Sequence, residues 1–158
     1  MIDALSENIP RLIAQASQSY HQLIIVVAPA GKGKTPTLQD VAEHSGYRYV
    51  NVSLELSERL LDLTARQRAI QTPRVLDEII GAGDERVALL DDLELLFDVS
   101  LKLDPLRYLQ GASRQRTLVV AWSGTIHNGQ LSYATPGHPE YHQYSVDDLT
   151  VVMLGKDT

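Results

Sequence analysis

The stretch that decides the fold is LIIVVAPAGKGKT, residues 23–35. Its first part, residues 23–27, is a continuous run of apolar, mostly branched residues, which is typical of a parallel strand buried on both faces. Its second part, residues 28–35, reads APAGKGKT and follows the P-loop pattern G-x-x-x-x-G-K-[ST], except that alanine replaces the first glycine. A helical pattern covers residues 33–44 and ends near Gly46, a common helix terminator. This order of strand, loop and helix predicts a phosphate-binding loop.

Each residue type in the loop has a physical task at a phosphate group. Gly31 and Gly33 can adopt positive φ and let the backbone approach closely, so that successive N–H groups form an anion nest. Lys34 would bring positive charge to the β- and γ-phosphates of ATP, and the Thr35 hydroxyl would bind Mg²⁺. The residues expected to contact the nucleotide are Ala28, Ala30, Gly31, Lys32, Gly33, Lys34, Thr35 and Pro36.

Two residues depart from an ideal loop, and both are tolerable. Ala28 stands where the chain leaves the strand and fits there if its φ stays negative. Pro36 falls in the first turn of the helix, where the missing N–H would have no intrahelical partner. The alternative to a nucleotide cradle is a structural glycine turn with Lys32 and Lys34 in solvent.

An acidic partner for the loop follows a third predicted strand, residues 87–90. Asp91 ends this strand and is the candidate Walker B residue, which would complete the coordination of Mg²⁺; the alternative is an N-cap of the helix predicted for residues 93–98. Asp92 stands where additional-strand ATPases have a glutamate that polarises the attacking water, and it is our candidate base; the alternative is a solvated acid. Glu94 is a second candidate, but we expect it to point elsewhere on a helix beginning at Asp92.

Further candidates flank the fourth predicted strand, residues 117–122. Ser123 ends this strand and is the candidate sensor of the γ-phosphate, with Thr125 in reserve; the alternative is a turn serine. Arg114 and Arg116 precede the strand and are candidates for an arginine finger, which would stabilise charge in the transition state. Each of these arginines could instead be a solvated charge.

The remaining patterns complete an alternation of strands and helices. Helical patterns cover residues 9–19, 56–70, 73–80 and 104–112, and strand patterns cover 47–52 and 149–154. Residues 125–133 carry Asn128-Gly129 between two extended segments, which predicts a hairpin. We therefore predict one α/β domain over residues 1–158, a three-layer α-β-α P-loop NTPase with a mostly parallel sheet of about five strands. It would have an extra β-hairpin after strand 4 and no helical lid domain; the alternative is an α+β domain.

The composition excludes some kinds of site and indicates the cellular compartment. The chain has 158 residues, no cysteine and a formal net charge of −6. Disulfides and thiolate metal sites are therefore excluded, and the three histidines at 127, 138 and 142 lack zinc-type spacing. The N-terminal stretch is not a signal sequence and no apolar run could span a bilayer, so we expect a cytoplasmic protein that does not bind membranes. Without a basic patch, direct DNA binding is not expected unless partners supply it.

Three stretches together resemble a known family: APAGKGKT (28–35), VALLDDLELLFD (87–98), and LVVAWSG (118–124) followed by LSYATPGHPEY (131–141). They are similar to BrxF, the small P-loop proteins of bacteriophage-exclusion (BREX) defence systems. The resemblance covers most of the chain and implies an AAA+-like nucleotide-binding component that works with other BREX proteins against phage DNA. It carries over to Lys34, Thr35 and Asp91, whereas Ala28 and Asp92 depart from the nucleotide motif.

Three functions remain open from the sequence. The first is an AAA+-like, Mg²⁺-dependent ATPase that binds ATP and ADP and assembles into a homo-oligomer or a larger complex. The second is a small P-loop kinase, although the second strand ends Asn51-Val52-Ser53 without the acid that such kinases often use. The third is a nucleotide-dependent switch or scaffold with little hydrolysis, because Asp92 is one methylene shorter than glutamate.

Overall fold

The computed structural model describes residues 4–28 and 34–153, except for the side chains at positions 4–8, 34, 35, 37, 44 and 45. The helices are α1 (Ala4–Ala16), α2 (Lys34–Ser45), α3 (Val52–Leu60), α4 (Ala65–Ile80) and α5 (Pro105–Ala112). The strands are β1 (Leu23–Ala28), β2 (Arg48–Asn51), β3 (Val87–Asp91), β4 (Thr117–Ser123), β5 (Thr125–His127), β6 (Gln130–Tyr133), β7 (His142–Ser145) and β8 (Thr150–Met153). Two 3₁₀ turns, Glu94–Phe97 and Val99–Leu101, lie between β3 and α5.

A five-stranded sheet with the order β2-β3-β4-β1-β8 forms the centre of the fold. Every neighbouring pair in it is parallel. β1 and β3 are buried along their whole length, as the continuous apolar runs in their sequences predict. Because all five strands run the same way, their carboxyl ends meet at one edge of the sheet. The predicted α/β fold with a mostly parallel sheet is confirmed.

Alternate residues of the strands pack into two separate cores, one on each face of the sheet. Ile25 and Val27 of β1 point into the core that α3, α4 and α5 cover. Ile24 and Val26 point into the opposite core, which α1 and α2 cover. This alternation follows from the period of two along a strand. It gives the predicted three layers, with helices on both faces.

A small antiparallel sheet, ordered β5-β6-β7, follows β4. Its first turn holds Asn128 and Gly129 at φ values of 52° and 73°, the positive pair that the Asn-Gly sequence predicts, so the hairpin prediction is confirmed. Trp122 ties this sheet to the core because its indole Nε1 donates a 3.1 Å hydrogen bond to the carbonyl of Ser132. The third strand, β7, was not predicted. In the described part of the chain, no helix follows β4.

The prediction of a helix over 9–19 was wrong in its bounds, because α1 runs from Ala4 to Ala16 and carries Pro10 in its interior. A proline there removes one backbone hydrogen bond. Ile9, Ile13 and Ala16 follow at i, i+4 and i+7 and are all buried, so one face of the helix packs on the core. Burial of this face outweighs the missing hydrogen bond.

The prediction of a helix break at residues 71–73 was also wrong. α4 continues through Pro73, and the buried Thr72 beside it donates its hydroxyl to the carbonyl of Arg68 at 2.6 Å. Leu76 and Ile79 anchor the following turns in the core. Helix α3 begins directly after β2, earlier than the predicted start at residue 56. Its N-cap is Asn51, whose side chain accepts a hydrogen bond from the N–H of Leu54.

Candidate functional site

The carboxyl edge of the sheet brings several predicted site residues together. Ala28, the last residue of β1, pairs with Ser123, the last residue of β4. Asp91 ends β3, which lies on the other side of β4. Helix α2 begins at Lys34, so the loop that joins β1 to α2 starts at this same edge. Ligands of open α/β sheets bind at the carboxyl ends of the strands, which makes this edge the candidate site.

The structure describes only the ends of the predicted phosphate loop. Ala28 is buried at the strand exit and its carbonyl accepts a 3.0 Å hydrogen bond from the N–H of Gly124. Pro36 is exposed in the first turn of α2. Lys34 and Thr35 are the first two residues of that helix, and their side chains lie outside the description. Ala30, Gly31, Lys32 and Gly33 lie outside the described residues.

Asp91 is held at the end of β3 by donors on both of its carboxylate oxygens. It is only 3% exposed. The Tyr49 hydroxyl donates to Oδ2 at 2.6 Å, and the Asp92 N–H donates to Oδ1 at 2.8 Å. A buried carboxylate needs such donors. Tyr49 belongs to the neighbouring strand β2, and sequence reasoning did not single it out.

Asp92 turns the main chain out of the sheet. Its φ is +54°, in the left-handed region that aspartate tolerates better than most residues. The carbonyl of Asp92 accepts from both the N–H and the hydroxyl of Ser53, at 2.9 and 2.7 Å. The same Ser53 hydroxyl oxygen accepts from the N–H of Leu95 at 3.0 Å. Ser53, at the start of α3, therefore fixes the turn that follows β3.

Glu94 lies inside the site, so the prediction that it points elsewhere was wrong. The Ser123 hydroxyl donates a 2.6 Å hydrogen bond to its Oε2. The predicted α-helix over 93–98 is instead a 3₁₀ turn of four residues that follows the left-handed Asp92. Burial raises the pKa of the Glu94 carboxyl, a hydrogen bond with the Asp92 side chain raises it further, and donation from Ser123 acts in the opposite direction. Asp92, Glu94 and Ser123 thus form one connected polar group.

The small sheet supplies another wall of this region. Tyr133 of β6 stacks on Phe97 with ring centroids 3.6 Å apart and planes 7° apart. Burial, followed by the negative charges of Glu94, Glu140 and Asp92, raises the pKa of Tyr133 to about 12. Thr125, the reserve sensor, lies instead within the small sheet, where its hydroxyl is 3.0 Å from that of Ser132.

An open cavity of 630 Å³ adjoins the carboxyl edge beside β2 and β3. Its lining is polar and includes Asn51, Ser53, Ser57, Asp92, Glu94 and Glu140. Two members of the polar group, Asp92 and Glu94, are therefore reached from solvent through this cavity.

The two candidate arginines lie at the opposite end of the sheet within one chain. Arg116 directly precedes β4, whose seven residues place it about 23 Å from Ser123 at roughly 3.3 Å per residue. Its guanidinium donates to the carbonyls of Ile80 and Glu85 at 3.0 and 3.2 Å. The Arg114 guanidinium lies over the Tyr20 ring, 4.6 Å from its centroid. Neither arginine reaches the site of its own chain.

Two negative findings concern metals and membranes. Among the described residues, no group of three or more His, Cys, Asp or Glu side chains could by itself hold a metal ion. Over the same part of the chain, no helix has the length and apolar character needed to cross a membrane.

The fold is similar to that of two solved DnaA structures. The replication initiator DnaA bound to AMPPCP and single-stranded DNA superimposes with a TM-score of 0.53 at 14% identity, over 99% of this chain and 49% of that one. AMPPCP-bound DnaA from Aquifex aeolicus gives a TM-score of 0.50 at 14% identity, over 99% of this chain and 48% of that one. At such low identity the likeness shows the fold alone.

This chain spans about half the length of those DnaA chains. No protein-family model matches the sequence, and no curated protein matches it.

Proposed function

We propose that this chain is an ATP-binding P-loop NTPase that uses Mg²⁺ and hydrolyses ATP as a homo-oligomer or within a BREX defence complex. The observation that carries the proposal is the meeting of four features at one edge of the sheet: the end of β1, the start of α2, Asp91 and Ser123. A P-loop sequence joins the first two of these features. The likeness to DnaA chains that bind the ATP analogue AMPPCP supports the same assignment.

The donor set at this edge fits Mg²⁺. This ion prefers oxygen ligands and typically takes one or two carboxylates together with water and phosphate oxygens. Asp91 offers a carboxylate that is already oriented by Tyr49, and Thr35 offers a hydroxyl at the start of α2. Since the described residues include no cluster that could hold a metal alone, phosphate oxygens and water would complete the shell. The ion would neutralise charge on the β- and γ-phosphates.

The residues of this chain have distinct tasks in the proposal. The loop residues Ala28, Ala30, Gly31, Lys32, Gly33, Lys34, Thr35 and Pro36 surround the phosphates. Ser123 would sense the γ-phosphate, because it pairs with Ala28, where the chain leaves β1 and enters the phosphate loop. Arg114 or Arg116 would act in a neighbouring copy, since both lie about one strand length away from their own site.

A switch with little hydrolysis is the second candidate function. The observation that favours it is that burial and the neighbouring Asp92 raise the pKa of the Glu94 carboxyl, which also accepts a hydrogen bond from Ser123. A carboxyl that holds a proton more readily is less available to activate water. The kinase alternative gains no support, because the Asn51 side chain at the end of β2 is used to cap α3.

The test is ATP binding and turnover by the full chain. Calorimetric titration with ATP and Mg²⁺ should give saturable binding, and Lys34→Ala should weaken it by about tenfold or more because a charge-assisted contact to phosphate is lost. Arg66→Ala is the matched control, since it removes an equal charge from an exposed position on α4, outside the phosphate loop. Phosphate release should rise faster than linearly with protein concentration if neighbours complete the site. Binding that Lys34→Ala leaves unchanged would overturn the proposal.

A further inference from the structure

We propose that Glu94, rather than Asp92, is the base that activates the attacking water, and that Ser123 is the residue that positions it. This inference rests on the proposed ATP hydrolysis and names the residue that performs its central proton transfer.

The order of the strands gives the first argument. In the order β2-β3-β4-β1, the phosphate loop follows β1, and β4 is the strand next to it. Glu94 bonds to Ser123 at the end of β4, and Ser123 pairs with Ala28 directly before the loop. The Glu94 carboxylate is therefore held on the side of β3 that faces the loop.

Asp92 is anchored toward the other side. Its carbonyl takes two hydrogen bonds from Ser53, which follows β2, the strand on the far side of β3 from the loop. Its backbone is already in the left-handed region, with a φ of +54°, so it has little freedom to swing toward β4. The side chain of Asp92 is also shorter by one methylene. We therefore assign Asp92 a supporting role beside Glu94.

The polar group can carry the chemistry of hydrolysis. The oxygen of a water molecule forms a bond to the γ-phosphorus while the bond from that phosphorus to the β–γ bridging oxygen breaks, and ADP leaves with the electron pair. Glu94 accepts the proton that the water loses. Because Asp92 and Glu94 both line the open cavity, the proton can pass to solvent on that side.

Ser123 fixes the direction of the Glu94 carboxylate. A glutamate has several rotatable bonds, and a 2.6 Å hydrogen bond from a strand residue removes much of that freedom. Tyr133, which stacks on Phe97, is close enough for the Glu94 charge to raise its pKa. Loss of the Ser123 hydroxyl should therefore affect the rate of the chemical step more than the affinity for ATP.

The test compares variants of the full chain by calorimetric ATP binding and by steady-state hydrolysis. Glu94→Gln should keep ATP affinity within about threefold and lower kcat by about a hundredfold or more, as expected on loss of a general base. Asp92→Asn should lower kcat by less than about tenfold, because it retains a hydrogen-bonding side chain. Glu58→Gln, which removes a charge from an exposed position on α3 outside this cavity, is the control and should leave both quantities unchanged.

The role of Ser123 in positioning Glu94 is tested separately, by comparing kcat with KM. Ser123→Ala should lower kcat by about tenfold with KM within about twofold, and Ser123→Thr, which restores a hydroxyl, should recover most of the rate.

Four results would overturn the assignment. They are a larger loss of kcat in Asp92→Asn than in Glu94→Gln, loss of ATP binding in Glu94→Gln, no rescue by Ser123→Thr, and a wild-type chain that binds ATP without hydrolysing it at any concentration. A wild-type chain that does not bind ATP would instead refute the proposed function.

Discussion

The Tyr49 hydroxyl donates a 2.6 Å hydrogen bond to Oδ2 of Asp91 across the pair of strands β2 and β3. This contact orients a carboxylate that is 3% exposed and that, in our proposal, faces a magnesium ion. Groups that hydrogen-bond to a metal ligand fix its direction and tune its affinity for the metal. The contact therefore links the packing of the sheet to the chemistry of its carboxyl edge.

Replacing Tyr49 with phenylalanine should weaken Mg²⁺-dependent ATP binding by about tenfold and lower the free energy of unfolding by about 1 kcal/mol. The ring would still pack, but the buried Asp91 would lose a donor. Calorimetric titrations of ATP with Mg²⁺ and with a chelator separate the metal-dependent part of the affinity. Tyr47→Phe, which removes a hydroxyl at the edge of the same core, is the control. If ATP binding depends equally on Mg²⁺ in wild type and in Tyr49→Phe, Tyr49 does not orient Asp91 for the metal.

The chain should lose stability in alkaline solution through three half-buried tyrosines. Burial and a hydrogen bond to Asp104 raise the pKa of Tyr144, burial and Asp77 raise that of Tyr108, and the pKa of Tyr133 is raised to about 12. An unfolded tyrosine ionises near pH 10, so above that pH the unfolded chain binds fewer protons than the native chain and the free energy of unfolding falls. Urea unfolding at pH 8, 9, 10 and 11 should show a plateau followed by a decline. A free energy that stays level to pH 11 would refute this.

Tyr144→Phe tests how much Tyr144 contributes to the loss of stability in alkaline solution. The hydroxyl of Tyr144 donates to Oδ1 of Asp104 at 2.8 Å and so ties the small sheet to the start of α5. Its removal should cost about 1 kcal/mol at pH 8 and should reduce the decline above pH 10. Tyr20→Phe, at a residue that is 67% exposed, should change neither quantity.

Arg114 and Arg116 should behave differently when each is replaced by alanine. Arg116 donates to the main-chain carbonyls of Ile80, the last residue of α4, and Glu85, which lies before β3, so its loss should cost about 1–2 kcal/mol of unfolding free energy. Arg114 is exposed above Tyr20 and is free to reach a neighbouring copy, so its loss should leave ATP binding intact and reduce turnover by about a hundredfold or more.

Mixing two inactive variants tests the contribution of Arg114 in trans. An Arg114→Ala chain keeps an intact phosphate loop, and a Lys34→Ala chain keeps Arg114. In a mixed oligomer the second chain can complete the site of the first, so turnover should return when the two are combined. Mixtures that stay as inactive as the separate variants would show that Arg114 does not act across an interface.

The sequence predicted most of the sheet because its signals are local. Continuous apolar runs marked β1, β3 and β4, and Asn128-Gly129 marked the hairpin. The path of α4 through Pro73 depends on tertiary burial, which local propensity does not report. Strand β7 is short, and its residues Gln143 and Ser145 are exposed, so it carries no apolar pattern.

The location of Glu94 could not be predicted for a related reason. It depends on the left-handed turn at Asp92, which Ser53 stabilises from 39 residues earlier in the chain. An α-helix was the natural expectation for Leu93–Asp98, and a 3₁₀ turn places the glutamate differently. The available hint was a polar residue, Ser53, directly after the end of the neighbouring strand.

The measurement that tests the central proposal most directly is a crystal structure of the full chain with AMPPCP and Mg²⁺. The account predicts the triphosphate over residues 28–35, with the metal between Thr35 and Asp91 and with Glu94 facing the γ-phosphate. A nucleotide bound away from the carboxyl edge of the sheet, or no bound nucleotide at saturating concentration, would contradict it.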